Sequence, residues 1–202
     1  MTTTPSPILV QRLTRYAAAA ATCADRYAKV FYPAIRNADE KYVCCVHGAE
    51  DMDHYLRAAD LLRELGVELD GLVDRPIAER GLPGADVLEA ARSWPERAAF
   101  SAVFEQALVI ELHGLAAAGH PAIAKLAGAA IAREQRHAAH GVALLCQICT
   151  AADARPAAQA AVDLLWPVAV AALDAGDARA ALADQLRAVL GPLGLTLAGG
   201  SA

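Results

Sequence analysis

The sequence predicts an all-α protein, and two observations lead to that prediction. Apolar residues recur at helical spacing along most of the chain, and no alternating Val/Ile/Tyr pattern typical of β-strands occurs. Apolar residues make up 56% of the 202 residues but aromatic ones only 5%, so the core consists mainly of Ala, Leu and Val, which favours helices. We expect one helical domain over residues 1–202, with a core bundle at about 6–152 and C-terminal helices at about 154–191.

Two helices are expected in the first third of the chain. The first runs from Ser6 to Arg36, and a tight turn follows at 37–39, with Asp39 placed as a helix cap. The second helix continues to about Leu65, where Gly66 supplies the residue type that commonly ends a helix. These two helices form the first hairpin.

A second pair of helices follows a long crossover at residues 67–93, which holds one short helix at about 85–92. Ser93 and Glu96 have the spacing of a capping box, so the third helix begins there. It ends near Ala118, and the fourth helix runs over about 121–151. Two helical hairpins joined by a long crossover are the connectivity of a ferritin-like four-helix bundle.

Further helices are expected at the C-terminus. One begins after Asp153 and continues through Pro167, where a kink is expected. Another covers 177–190, and the tail from Leu197 onward is expected to be frayed.

Charge and composition exclude several classes of protein. The net charge is −5 and Lys and Arg do not cluster, so no nucleic-acid partner is expected. The longest apolar stretches, such as 157–173 with Gln159, Asp163 and Pro167, are interrupted, which argues against a membrane span. The N-terminus does not resemble a secretory signal. An odd number of cysteines, five, favours reduced thiols and a cytoplasmic location.

A carboxylate followed three residues later by His occurs twice on predicted helices. The pairs are Asp51 with His54 and Glu134 with His137. Residues at this spacing share one helix face, so both side chains of a pair can bind one metal ion. Either pair alone is common by chance. Together with one carboxylate from each of the other two helices, the pairs would form the ligand set of dinuclear carboxylate bundles.

The height of each residue along its hairpin indicates the two missing carboxylates. The second hairpin turns at residues 119–121. Glu105 lies 14 residues before Gly119 and Glu134 lies 13 residues after Pro121, so the two stand at nearly the same level along the hairpin. Glu111 is only 8 residues from Gly119 and fits less well. Around the turn at 37–39, Asp25 is as far from the turn as Asp51, and we expect it to be the ligand from the first helix.

Two further residues share the helix face of Asp51 and His54. Cys44 and His47 precede them at steps of three and four residues, so we expect them to line a cavity beside the metals. Ordinary core packing is the alternative for both. Cys146 and Cys149 lack the second cysteine pair of a zinc site and are expected to be reduced thiols.

Segments 51–66 and 119–137, which carry both motifs, resemble the two metal-binding helices of the catalytic subunit of phenylacetyl-CoA epoxidase. The chain is thus similar to the ferritin-like di-iron oxygenases over roughly residues 20–150. This resemblance implies that the iron ligands are Asp25, Asp51, His54, Glu105, Glu134 and His137. The first hairpin is about four residues shorter than in that family, and Asp replaces Glu at 25 and 51. No basic surface for CoA is evident, so phenylacetyl-CoA is not the expected substrate.

The expected function is therefore a non-haem di-iron oxygenase or oxidase that uses O₂ to hydroxylate or epoxidise a small organic substrate. Two Fe ions are the expected cofactor, and Mn or a mixed Mn/Fe pair fits the same donors. An electron-donor reductase or ferredoxin and a homodimeric assembly are expected as partners. Two alternatives stay open: a ferritin-like ferroxidase or other iron-handling protein, and a metal-free structural subunit of a multicomponent oxygenase.

Overall fold

Helices are the only regular elements in the described part of the chain, residues 4–174 and 176–198 of the computed structural model, which confirms the all-α prediction. The α-helices are α1 (Pro7–Asp25), α2 (Tyr32–Ala34), α3 (Ala38–Glu64), α4 (Ala85–Ala90), α5 (Trp94–Ala99), α6 (Gln106–Ala117), α7 (Pro121–Cys149), α8 (Arg155–Ala171) and α9 (Gly176–Leu190). Two π-helical segments also occur in these ranges: the first π segment is Arg26–Phe31 and the second is Phe100–Glu105. Short 3₁₀ turns cover Ile77–Glu79 and Gly191–Leu193.

The chain divides into two compact units. Unit 1 comprises Met1–Ala85 and Leu112–Ala132, and unit 2 comprises Asp86–Glu111 and Arg133–Ala202. The division falls within α6 and α7, so each of these helices contributes residues to both units.

The helix boundaries in unit 1 follow from capping. Ser6 caps α1 by accepting a hydrogen bond from the Leu9 amide at 3.3 Å. The cap of α3 is Asn37, whose Oδ1 accepts from the amides of Asp39 (2.8 Å) and Glu40 (3.4 Å). The expectation that Asp39 is the cap is therefore wrong. Asn37 has the extended backbone that a cap requires, whereas Asp39 already lies in the first turn, where its charge favours the helix N-terminus.

Small residues pack α1 against α3 in unit 1. Residues 17–24 of α1 are all buried, and six of these eight are Ala. Gly48 of α3 lies close to the end of α1 and the start of the first π segment, because a Cβ at this position would be 3.6 Å from the Ala24 carbonyl oxygen and 3.2 Å from Cβ of Tyr27. Larger buried side chains, including Leu13, complete the unit 1 core. At the other end of α3, Gly66 has a φ of 82°, which favours glycine after a helix.

Unit 2 begins with the capping box expected from the sequence. Ser93 Oγ accepts from the Glu96 amide at 3.3 Å, and Glu96 Oε2 accepts from the Ser93 amide at 2.6 Å. Helix α5 continues directly through the second π segment, and α8 packs against both. The tail is held to α8 by Gln159, whose Nε2 donates to the Thr196 carbonyl at 2.8 Å. The expected fraying concerns residues 197–202, of which 199–202 lie outside the described residues.

One stretch of the described chain, Trp94–Ala117, is long and apolar enough to cross a membrane. Within its most apolar window, 78% of the residues are buried inside the protein. Buried core helices share this property, so the stretch is weak support for a membrane span.

Candidate metal centre

Three of the predicted ligands form a buried cluster in unit 2. Glu105 is the last residue of the second π segment, and Glu134 and His137 lie one turn apart on α7. All three residues have 0% exposure. His137 Nδ1 is 3.9 Å from Glu105 Oε1 and 3.8 Å from Glu134 Oε2. Unit 2 therefore contains a cluster of carboxylate and imidazole groups shielded from solvent.

These separations suit a shared cation better than direct hydrogen bonds. A hydrogen bond between nitrogen and oxygen has a length of about 2.7–3.2 Å. Two donor atoms that each lie about 2.1 Å from one metal ion can be at most about 4.2 Å apart. Both separations to His137 Nδ1 fall between these limits. The cluster is consistent with one metal ion bound by Glu105, Glu134 and His137.

Gly141 determines how closely α7 approaches the second π segment. A Cβ at Gly141 would be 2.3 Å from the Ala102 amide nitrogen, 2.6 Å from Ser101 Cβ and 2.8 Å from the Ala98 carbonyl oxygen. Two of these are backbone atoms, which do not move aside as a flexible side chain can. Glycine is therefore needed one turn beyond His137 for Glu105 to come near that imidazole.

The π segment itself affects where Glu105 points. A π turn has a wider hydrogen-bonding pattern than an α turn and occurs most often as a short interruption at functional sites. The widened turn in Phe100–Glu105 changes the helix face on which the following side chains lie, relative to an uninterrupted α-helix. A sequence-based height argument assumes an uninterrupted helix and does not include this shift.

The second carboxylate–histidine pair lies in unit 1. Asp51 and His54 are one turn apart on α3, with 0% and 3% exposure. Cys23 of α1 has 0% exposure, and its Sγ lies within 4.8 Å of an Asp51 carboxylate oxygen. The sequence analysis did not single out Cys23. The sequence did offer a reason to consider it, because cysteine binds transition metals strongly and Cys23 lies in an otherwise Ala-rich stretch of α1.

Asp25, the ligand expected from the first helix, forms ion pairs with two basic side chains in unit 1. One carboxylate oxygen accepts from Arg80 Nη2, and the other is 2.9 Å from Lys29 Nζ. Arg80 also donates to the carbonyl oxygens of Ala21 (3.0 Å) and Val73 (3.2 Å). The structure thus gives Asp25 a role in holding the crossover to α1. Its role as a metal ligand stays a prediction.

Cys44 and His47 are both buried on α3, with 1% and 7% exposure. Cys44 lines a mainly apolar cavity of about 370 Å³ in unit 1, whose other lining residues are Tyr27, Ala28, Tyr32, Cys45, Gly48 and Ala49. His47 Nδ1 is 3.2 Å from Tyr27 Oη, and the two rings meet edge to face with centroids 5.3 Å apart. The phenol and imidazole therefore hold each other in place beside this cavity.

The donor atoms of these side chains suit particular metals. Carboxylate oxygen and imidazole nitrogen are the donors preferred by Fe(II) and Mn(II), and imidazole also binds zinc. Unpaired charge is costly to bury, so buried acidic side chains usually bind a cation or form compensating contacts. The burial and chemistry of these side chains therefore fit a metal ion.

No protein-family model matches this chain, and no curated protein is similar to it in sequence.

Proposed function

We propose that this chain is a non-haem di-iron oxygenase or oxidase that uses O₂ to hydroxylate or epoxidise a small organic molecule. The observation that carries the proposal is the fully buried cluster of Glu105, Glu134 and His137. Asp51 and His54, buried on α3, support it as a second carboxylate–histidine pair. We further propose that the chain is a ferritin-like bundle whose carboxylate–histidine pairs are ligands of a dinuclear centre, the ligand set typical of such bundles.

The chemistry of the proposed centre is that of iron, which when bound supplies O₂ activation and electron transfer. The protein side chains contribute charge, orientation and exclusion of water. Glu105 and Glu134 offer negative charge that compensates the cations, and His137 offers a neutral nitrogen donor. Since these side chains have 0% exposure, water is largely kept from the ions, which limits unproductive side reactions.

The substrate must be small and largely apolar if it occupies the cavity beside Cys44. Its volume of about 370 Å³ falls within the range of ligand pockets. The lining offers little charge, so a compact hydrocarbon or aromatic molecule fits better than a charged thioester. An electron donor, either a reductase or a ferredoxin, completes the proposed cycle, and we propose that the enzyme acts in the cytoplasm as a homodimer.

The experiment that tests this proposal is anaerobic loading with Fe(II) followed by exposure to air. We expect the wild-type protein to bind iron and to develop a charge-transfer band on aeration. The Glu134→Gln variant should lose this band because it lacks a proposed ligand. Wild-type protein that binds no iron, or that binds it without any spectral change in air, would contradict the proposal.

The two alternative functions give different results in the same preparation. A ferroxidase that stores iron would assemble into a large shell and accumulate many iron atoms per chain, which size-exclusion chromatography and iron analysis detect. A metal-free structural subunit would bind no iron at all. The proposed oxygenase should be a small oligomer that binds two iron ions per chain.

A further inference from the structure

Cys23 is a buried thiol next to a buried carboxylate in unit 1. Its Sγ is within 4.8 Å of an Asp51 carboxylate oxygen, and both residues have 0% exposure. A metal–sulfur bond is about 2.3 Å long and a metal–carboxylate bond about 2.2 Å at most, so the two donors can be up to about 4.5 Å apart across one ion. Side-chain adjustments of a few tenths of an ångström bring Cys23 and Asp51 within this limit.

The competing carboxylate on the same helix is bound elsewhere. Asp25 lies two residues after Cys23 and forms ion pairs with Arg80 and Lys29. Both carboxylate oxygens of Asp25 are therefore already paired, and a metal ion would have to compete with these pairs, one of them with an Arg80 side chain that is only 1% exposed. A buried guanidinium left without its anion is strongly destabilising. Asp25 is therefore a poor candidate for the ligand from the first helix.

We propose that Cys23, and not Asp25, supplies the metal ligand from α1, through its thiolate. This inference rests on the proposed function, because it takes Asp51 as a ligand of the same ion. When the bond between sulfur and metal forms, the thiol proton is released to solvent, and no electrons are transferred. A thiolate donor gives this ion a softer ligand than an all-carboxylate site has, which favours Fe(II), Co(II) or Zn(II) over Mn(II) or Mg(II).

Cobalt(II) is the probe for this proposal because its spectrum reports separately on metal binding and on sulfur coordination. Visible ligand-field bands show that cobalt is bound by the protein. A near-ultraviolet band arises only when a thiolate is a ligand. Cys45 and Cys146, the exposed cysteines of the described chain, are replaced by Ser in the reference protein, so that they cannot bind cobalt themselves.

We expect the reference protein to show both sets of bands on anaerobic titration with cobalt. Cys23→Ser should keep the visible bands and lose the near-ultraviolet band. Asp25→Asn should lower the free energy of unfolding, because it removes the anion paired with Arg80, and should keep both sets of bands. Cys44→Ser should also keep both, since Cys44 is equally buried but lines the cavity. A near-ultraviolet band that persists in Cys23→Ser would overturn the proposal.

X-ray absorption at the cobalt edge of the reference protein gives a second test that needs no variant at position 23. We expect one sulfur neighbour at about 2.3 Å. Bound cobalt with only oxygen and nitrogen neighbours would overturn the role of Cys23 and leave the proposed function intact. A reference protein that binds neither cobalt nor iron would overturn both proposals.

Discussion

Arg80 donates a hydrogen bond from Nη2 to the carboxylate of Asp25, although 55 residues separate the two along the chain. The Arg80 side chain is 1% exposed and that of Asp25 is 12% exposed. The same guanidinium reaches carbonyl oxygens of α1 and of the crossover. This one side chain therefore ties the crossover to the first helix within unit 1.

Replacing Arg80 should destabilise the protein strongly. Arg80→Met removes a buried cation and leaves Asp25 with its exposed partner, Lys29, whose side chain is 65% exposed. Removal of one partner from a buried ion pair costs about 3–5 kcal/mol. We expect the free energy of unfolding, measured by urea denaturation, to fall by about 3 kcal/mol. Lys29→Met is the matched control and should cost less than about 1 kcal/mol. Equal losses in the two variants would contradict the role of Arg80.

Gly141→Ala should disturb both stability and metal binding. The added Cβ would overlap the Ala102 amide nitrogen and the Ala98 carbonyl oxygen, so α7 must move away from the second π segment. Overpacking of this kind costs about 1–3 kcal/mol. We expect a loss near the upper end of this range by urea denaturation, together with weaker metal binding, because Glu105 and His137 move apart.

Gly128→Ala on the same helix is the control for this prediction. A Cβ at Gly128 meets nothing within 4 Å, so the substitution gains helix propensity without a clash. We expect the free energy of unfolding to rise by about 0.5–1 kcal/mol. Equal unfolding free energies for Gly141→Ala and Gly128→Ala would contradict the close approach of α7 to the second π segment.

Glu134→Gln should remove most of the stabilisation that bound metal gives. The substitution keeps the size of a side chain that has 0% exposure and removes its negative charge. With iron or cobalt present, the wild type should gain stability because the metal binds the folded state, and the variant should gain much less. Thermal unfolding with and without metal measures both gains.

Glu111→Gln is the matched control for Glu134→Gln. Glu111 is also buried, at 8% exposure, but the hairpin heights did not select it as a ligand. We expect its metal-dependent stabilisation to equal that of the wild type. A similar metal-dependent gain in Glu134→Gln and Glu111→Gln would show that Glu134 is not a ligand.

Stability at alkaline pH should depend on Cys149. Burial raises the pKa of this thiol above its ordinary value of 9.0, and the nearby Arg155 only partly opposes the shift. The folded state thus keeps the proton longer than the unfolded state. The resulting stabilisation is complete below about pH 9 and is lost as the pH rises through the folded-state pKa.

The measurement compares urea denaturation at several pH values between 8 and about 10.5. The unfolding free energy of the wild type should fall more steeply with pH than that of Cys149→Ala. Cys45→Ala, at an exposed position on α3, should keep the wild-type slope. Identical slopes in wild type and Cys149→Ala would contradict the assigned effect of burial.

The helices and their boundaries were largely predictable from local chemistry. The capping box at Ser93 and Glu96 and the break at Gly66 depend on residues within one or two turns, and the structure has both. The error at Asp39 has a physical reason: Asn and Asp both cap helices well, and the backbone conformation at Asn37 decided between them. Neither π segment was predicted, because no residue type marks a π turn as reliably as Gly marks a helix end.

The candidate site was predictable where two ligands share one helix. It was less predictable where contacts between distant parts of the chain determine which side chain is available as a ligand. The spacing of Glu134 and His137 fixed them on one face regardless of tertiary structure. The approach of Arg80 to Asp25 joins residues far apart in the chain, and nothing local distinguishes Arg80 from a solvated side chain. A height argument locates a residue only to within about one turn, so it could not separate Asp25 from Cys23.

The most direct test of the central claim is anomalous scattering from crystals of the iron-loaded protein, measured on both sides of the iron absorption edge. We expect two iron peaks about 3.5–4 Å apart, with Glu105, Glu134 and His137 within bonding distance of at least one of them. Asp51 and His54 should also be within bonding distance of the pair. Iron-loaded crystals without an anomalous peak at these side chains would contradict the account.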